Sequence, residues 1–348
     1  MIFKRSHIMI NALAMLGLFF FSGCLERKEL VHLKGRTMGT NYNIKYYPSN
    51  ELDDADDAGK KIDELLKEVN RQMSTYIKSS EISYFNETDR LGWLKIGEDF
   101  FNVTSYALGL AKDTDGAFDP TIGLLVNLWG FGPGGARKVP KGRDIEDARK
   151  RVGFDKILLN NETSEIKKKV PGVFLDLSSL AKGFGVDKVS KYLEENKVKD
   201  FMVEIGGEVK TKGTKEKKEP WRIAIEAPSP KEQGKSYQKV LRISGLSLAT
   251  SGNYRNFFRE GGKRYSHTID TRSGRPVAHT LASVSVADES CMKADALATA
   301  LMAMGTERGL SYAINKGIPA YFVYREDGQN KQKFVSIGTE SFTRLFPE

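Results

Sequence analysis

The chain has 348 residues and a formal charge of +9, from 54 Lys and Arg against 45 Asp and Glu. With 40% hydrophobic residues it has the composition of one large or two modest folded domains, which argues against a fibrous or disordered chain. Lys and Glu interleave in most charged runs, as in Lys210 to Glu219, and no nucleic-acid motif or zinc-type cluster of Cys and His occurs, so no nucleic-acid partner is expected.

Lys4 and Arg5 precede an apolar run from about Ile8 to Phe21 that ends at Ser22-Gly23-Cys24. This pattern predicts a signal peptide over residues 1–23 with a lipobox-like end, cleavage before Cys24 and a lipid on its sulfur. The run is short for a span and is broken by Asn11, so an anchored chain is preferred to a transmembrane one. Phe21 stands where such boxes usually carry an aliphatic residue. Removing residues 1–23 takes away Lys4 and Arg5 and no acid, leaving +7, a mild bias toward phosphates or lipid headgroups. Cys291 is the one other cysteine; once Cys24 is acylated no intramolecular disulfide can form.

Residues 24–35 read as a tether, and 36–348 as one domain. A strand is predicted over Arg36–Tyr47, an amphipathic helix over 52–72 carrying Ile62, Leu65, Leu66, Val69 and Met73, and another over Glu98–Lys112. Residues 118–135, punctuated by Gly and Pro, read as a folded loop. Val173–Leu177 reads as a short strand that feeds a helix reaching about Asn196. Strands are predicted at Phe201–Ile205, Val209–Lys212, Trp221–Glu226, Val240–Ile243, Ser247–Thr250, Ser266–Asp270 and Ala282–Ala287, with a turn at Gly206-Gly207. Short connections favour antiparallel neighbours, so the class is α+β with packed helices.

Four polar segments interrupt this apolar framework. The helix around Ala294–Met304 is apolar on every side except at Asp295 and Thr299, one turn apart on one face. A buried carboxylate must be paired or bind a metal, and this pair offers hard oxygen ligands of the kind Mg2+ or Ca2+ takes. The alternative is an Asp paired with Lys or Arg and a Thr bonded back to its helix. At Ser178–Gly185 a helix N-terminus with Lys182 suits a phosphate; plain capping by Ser178 or Ser179 is the alternative. His267, three residues before Asp270, could act as a base near neutral pH or be structural. The fourth segment is the 116–123 loop with Asp119. Cys291 reads as a packed residue.

Met38-Gly39-Thr40, Met73-Ser74-Thr75-Tyr76, G-A-F-D-P-T-I-G with N-L-W-G-F-G, L-D-L-S-S-L-A-K-G, T-S-G-N-Y-R-N, S-H-T-I-D-T-R-S-G-R-P and A-D-A-L-A-T-A follow one another in an order that resembles the ApbE family of FAD:protein FMN transferases. The resemblance runs from about Arg36 to the C-terminal strands. It implies an α+β fold of antiparallel sheets with T-fold-like pseudo-duplication. It also implies a Mg2+-dependent enzyme (Ca2+ or Mn2+ being alternatives) that splits FAD, releases AMP and joins FMN to a Thr or Ser hydroxyl of an acceptor protein. By the same resemblance Asp295, Thr299 and Ser179 would hold the metal. Met38, Tyr76, Ala117, Phe118, Asp119, Asp176, Lys182 and Ile269 would line the FAD site, and His267 would be the base, with Asp295 as the second catalytic residue. Ala298 stands where some members carry a further acid, and the positions of Ser179 and Lys182 vary between members.

Acceptors of the type found in sodium-pumping NADH:quinone reductase or Rnf-type complexes are expected, with the enzyme lipid-anchored on the periplasmic side and the inner membrane favoured over the outer. Two alternatives remain open: an FAD pyrophosphatase, and a flavin-binding lipoprotein without chemistry.

Overall fold

A computed structural model describes residues 29–228, 236–254, 256–326 and 333–347. The predicted signal segment and Cys24 lie outside the described residues. Among those described, no helix is long and apolar enough to cross a membrane.

The chain opens with a hairpin of β1 (Val31–Thr37) and β2 (Thr40–Tyr46). Helices α1 (Ala55–Met73) and α2 (Glu81–Glu87), the short β3 (Leu94–Lys95), and α3 (Glu98–Asp113), α4 (Gly123–Leu128) and α5 (Gly142–Arg149) follow. Then come β4 (Ile157–Asn160), β5 (Glu165–Lys168), α6 (Ser178–Glu195), β6 (Phe201–Ile205), β7 (Glu208–Lys212), β8 (Trp221–Glu226), β9 (Tyr237–Ile243) and β10 (Ser247–Gly252). The last part carries β11 (Phe257–Glu260), β12 (Lys263–Ser266), β13 (Ile269–Asp270), β14 (Arg275–Pro276), β15 (Leu281–Asp288), α7 (Cys291–Met304), α8 (Thr306–Asn315), β16 (Ala320–Arg325), β17 (Phe334–Gly338) and α9 (Glu340–Leu345).

Eight strands form one sheet in the order β1-β2-β6-β7-β10-β15-β16-β17, every neighbouring pair antiparallel. This is the expected α+β arrangement. The period-two alternation of strands sorts side chains onto two faces. On one, Tyr42, Ile44, Tyr46, Phe201, Val203 and Ile205 pack against Ile62 and Leu66 of α1 and Val186, Val189 and Leu193 of α6. Farther along the same layer Ala249, Val284 and Val286 meet Ala294, Ala298 and Leu301 of α7. The opposite face is covered by the β8–β9 ribbon and α9, through Leu248, Trp221, Leu241 and Phe342.

Helices α6 and α7 approach closely because Gly183 has no side chain: a Cβ there would lie 2.4 Å from the Cys291 carbonyl oxygen. Cys291 is fully buried, and burial holds its thiol well above the ordinary value, so it is a packed residue as expected.

Four predicted elements differ in detail, the first being the 118–135 loop, which carries the helix α4 at Gly123–Leu128. The first strand begins at Val31, inside the expected tether, and reverses at Met38 and Gly39, whose φ values are +49° and +71°. Val173–Leu177 is not a strand. It crosses the core without a ladder, because the Asn86 amide donates to the Leu175 carbonyl and accepts from the Leu175 N–H, at 2.8 and 2.7 Å. The predicted strand Ser266–Asp270 is broken at His267 and Thr268 between β12 and β13.

Candidate active site

Helices α6 and α7, the turn after β1 and the loop after α3 surround a cavity of about 1120 Å³, just above the usual range for ligand pockets. Its lining includes Met38, Tyr76, Ala117, Phe118, Asp119, Asp176, Ser179, Lys182, His267, Ile269, Asp295 and Thr299. Every candidate residue named from the sequence, apart from Cys24, therefore meets in one place.

The charged corner is built by α6 and α7. Asp295 is 4% exposed, and its Oδ2 accepts the Gly183 N–H at 3.1 Å and lies 3.6 Å from the Lys182 ammonium. Its Oδ1 has no partner among the described residues, and neither does the half-buried Thr299 hydroxyl. The structural alternative for this pair is thus half met: Asp295 has a lysine, but Thr299 does not bond back to its helix. Lys182 lies nearer, at 2.9 Å, to a third group that the sequence reading passed over, Glu208 Oε2. Glu208 is 3% exposed, and no donor is aligned on Oε2 for a hydrogen bond.

Burial alone would lower the Lys182 pKa, but Asp295 and Glu208 outweigh it and the ammonium is held charged. Burial raises both carboxylates, with Lys182 pulling the other way. One ammonium thus faces two buried carboxyl groups, and burial disfavours the charged form of both.

The start of α6 faces the same cavity. Its N-cap is Leu177, with no side-chain cap; neither Ser178 nor Ser179 caps the helix, and the capping alternative fails. The Asp176 carboxylate accepts the Ser178 N–H at 2.9 Å, and the Leu177 carbonyl takes the N–H groups of Leu180 and Ala181. The Ser179 N–H has no acceptor among the described residues, at the positive end of a helix of 18 residues.

His267 sits in the break between β12 and β13, half-buried, with its ring edge toward Phe131 at 6.3 Å. Its Nδ1 is 3.1 Å from the Asn256 carbonyl. A carbonyl only accepts, so Nδ1 carries the hydrogen and Nε2 keeps its lone pair. Burial lowers this pKa from its ordinary value, so the ring is neutral at neutral pH and competent as a base.

Asp119 also lines the cavity, but its carboxylate is fully engaged. Oδ1 accepts the Thr121 N–H at 2.8 Å and the Thr121 hydroxyl at 2.6 Å, and Oδ2 accepts the Phe154 N–H at 2.8 Å. It shapes the wall through the loop it holds. That loop is tied to the segment after His267 by Thr271 donating to the Gly116 carbonyl and Trp129 Nε1 to the Gly274 carbonyl, at 2.6 and 2.9 Å. Asp270 is spent on its own turn, accepting from the Arg272 N–H and the Ser273 hydroxyl. Ile269 is buried in the wall, while Tyr76 stands 67% exposed at the rim.

Among the described residues no group of three or more His, Cys, Asp or Glu could hold a metal by itself. The donors that line the cavity include the Asp295 carboxylate and the Thr299 and Ser179 hydroxyls, the type a hard cation takes with water and phosphate oxygens completing its shell.

An α+β framework that gathers a helix N-terminus, an ammonium, hard oxygen donors and a neutral imidazole around one large cavity has the parts of a nucleotide-processing enzyme. The chain belongs to the ApbE family, whose model matches residues 38–322. It is 42% identical over 320 residues to the FAD:protein FMN transferase of Vibrio cholerae, covering 92% of this chain and 95% of that one. It is 31% identical over 334 residues to the enzyme of that name from Escherichia coli, covering 93% and 94%. Among solved structures it is similar to the flavin transferase ApbE of Vibrio cholerae, with a TM-score of 0.83 over 91% of this chain and 99% of that one at 42% identity. It is likewise similar to the apo flavinyl transferase ApbE of Pseudomonas stutzeri, with a TM-score of 0.84, 38% identity and coverage of 93% and 99%.

Proposed function

We propose that this chain is an FAD:protein FMN transferase that joins the FMN moiety of FAD to a Thr or Ser hydroxyl of an acceptor flavoprotein, releasing AMP, with Mg2+ bound at Asp295, Thr299 and Ser179. The observation that carries this reading is the meeting of Asp295, Thr299, Lys182, Ser179 and His267 on one cavity of about 1120 Å³, large enough for a dinucleotide.

The acceptor oxygen attacks the phosphorus on the FMN side of the pyrophosphate, a new P–O bond forms, and the P–O bond to AMP breaks. His267 Nε2 takes the hydroxyl proton as the oxygen attacks. Lys182 and the Ser179 N–H face the charge that builds on the phosphoryl oxygens. A bound Mg2+ supplies charge neutralisation at the pyrophosphate. Met38, Ala117, Phe118, Ile269 and Tyr76 form the apolar wall and rim for the flavin, with Asp119 and Asp176 holding the backbone around them. The lipid on Cys24 keeps the enzyme at the periplasmic face of the membrane, beside redox subunits such as those of sodium-pumping NADH:quinone reductase or Rnf-type complexes.

The test is incubation with FAD, Mg2+ and a threonine-containing acceptor domain, reading the intact mass of the acceptor and the nucleotides released. An acceptor heavier by one FMN moiety, with AMP formed and both lost in EDTA, is the expected outcome. Free FMN and AMP with an unchanged acceptor would favour the pyrophosphatase, and intact FAD would favour a binding protein.

A further inference from the structure

We propose that Glu208 is a positioning residue: it draws the Lys182 ammonium away from Asp295 and so keeps that carboxylate available to a divalent cation. The inference rests on the reading of Asp295 as a cation ligand.

Lys182 is placed between two buried carboxylates and lies unequally between them, 2.9 Å from Glu208 Oε2 and 3.6 Å from Asp295 Oδ2. An ammonium seated squarely on Asp295 would compete with a cation for the same oxygens, since both are satisfied by one negative charge. Glu208 offers it another seat. The backbone is shaped for that path: Gly206 turns at φ +61°, and a Cβ there would lie 3.2 Å from Lys182 Cδ and 2.8 Å from Thr40. The adjacent Gly207 continues the turn at φ +105°, and Glu208 follows as the first residue of β7, at the cavity wall. At 3% exposure it has little solvent to turn to, and the Lys182 ammonium at 2.9 Å is the cation it faces.

The test is titration of Mn2+ into the full chain holding FAD, with free Mn2+ read by electron paramagnetic resonance, for the wild type, Glu208→Gln, Lys182→Met and the double variant. Glu208→Gln keeps shape and polarity while removing the charge that draws the ammonium. It is expected to weaken Mn2+ binding about tenfold in the wild-type background, and less than twofold when Lys182 is already Met, because no ammonium is left to position. Unchanged Mn2+ affinity in Glu208→Gln, or equal weakening in both backgrounds, would overturn the inference and leave Asp295 as a ligand intact. No saturable Mn2+ binding by the wild type would remove the reading of Asp295 on which it rests.

Discussion

Two carboxylates that line the cavity are buried to nearly the same degree, Asp119 at 7% and Asp295 at 4% exposed, yet their surroundings differ. In the loop after α3, three donors saturate Asp119; on α7, a single N–H and a shared, distant ammonium reach only one oxygen of Asp295. Burial raises both above the ordinary carboxylate value. Unused coordinating capacity separates these two carboxylates, where burial and a perturbed pKa do not.

The comparison can be broken by substitution, beginning with the largest expected effect. Asp295→Ala is expected to lower transfer about a thousandfold while the Tm moves by less than about 4 °C, since Lys182 keeps Glu208 as partner. A large loss of Tm, measured by calorimetry, would make Asp295 a structural residue like Asp119.

His267→Gln is expected to slow transfer about a hundredfold and to remove the acid limb of the pH–rate profile. Burial depresses the histidine below its ordinary 6.5. The neutral base is therefore present at pH 7, and the rate falls only as pH drops through that lowered pKa. The same shift bears on stability: the unfolded chain takes up the proton first, so the contribution of His267 is present above pH 6.5 and is lost in more acid solution. An acid limb that survives in the variant would assign it to another group.

Gly183→Ala probes the α6–α7 contact that sets Lys182 and Asp295 side by side. The added methyl meets the Cys291 carbonyl at 2.4 Å, so a loss of about 3 kcal/mol is expected in denaturant unfolding, with weaker Mg2+ activation of the folded fraction. Full stability with unchanged Mg2+ dependence would show that the helix spacing does not govern the site.

Asp119→Asn is the mildest. An amide has one accepting oxygen where the carboxylate uses two, so one buried donor is stranded, at a cost of about 2 kcal/mol. Mg2+ affinity should be unchanged.

Much of the site was legible because its polar residues stand out against apolar surroundings. Asp295 and Thr299 are the two polar interruptions of the otherwise apolar stretch Ala294–Met304, and α7, which contains it, is largely buried as the pattern requires. Glu208 was missed because the Gly206-Gly207 pair before it reads as an ordinary hairpin turn; its burial comes from the sheet around it, and no local period reports it. The β1–β2 reversal was missed for a related reason. Two consecutive positive φ values usually advertise themselves as Asn-Gly, and here the first is borne by Met38. Val173–Leu177 has the composition of a strand, but a side chain eighty-nine residues away in sequence supplies its hydrogen bonds, which no local pattern can encode.

The most direct measurement is a matched pair, Asp295→Asn and Asp119→Asn in the full chain, each assayed for acceptor mass with FAD and Mg2+ and for Tm in the same preparation. Asp295→Asn is expected to be folded and inactive, and Asp119→Asn less stable with a folded fraction that still transfers FMN. An active Asp295→Asn, or a fully stable Asp119→Asn that has lost transfer, would contradict this contrast.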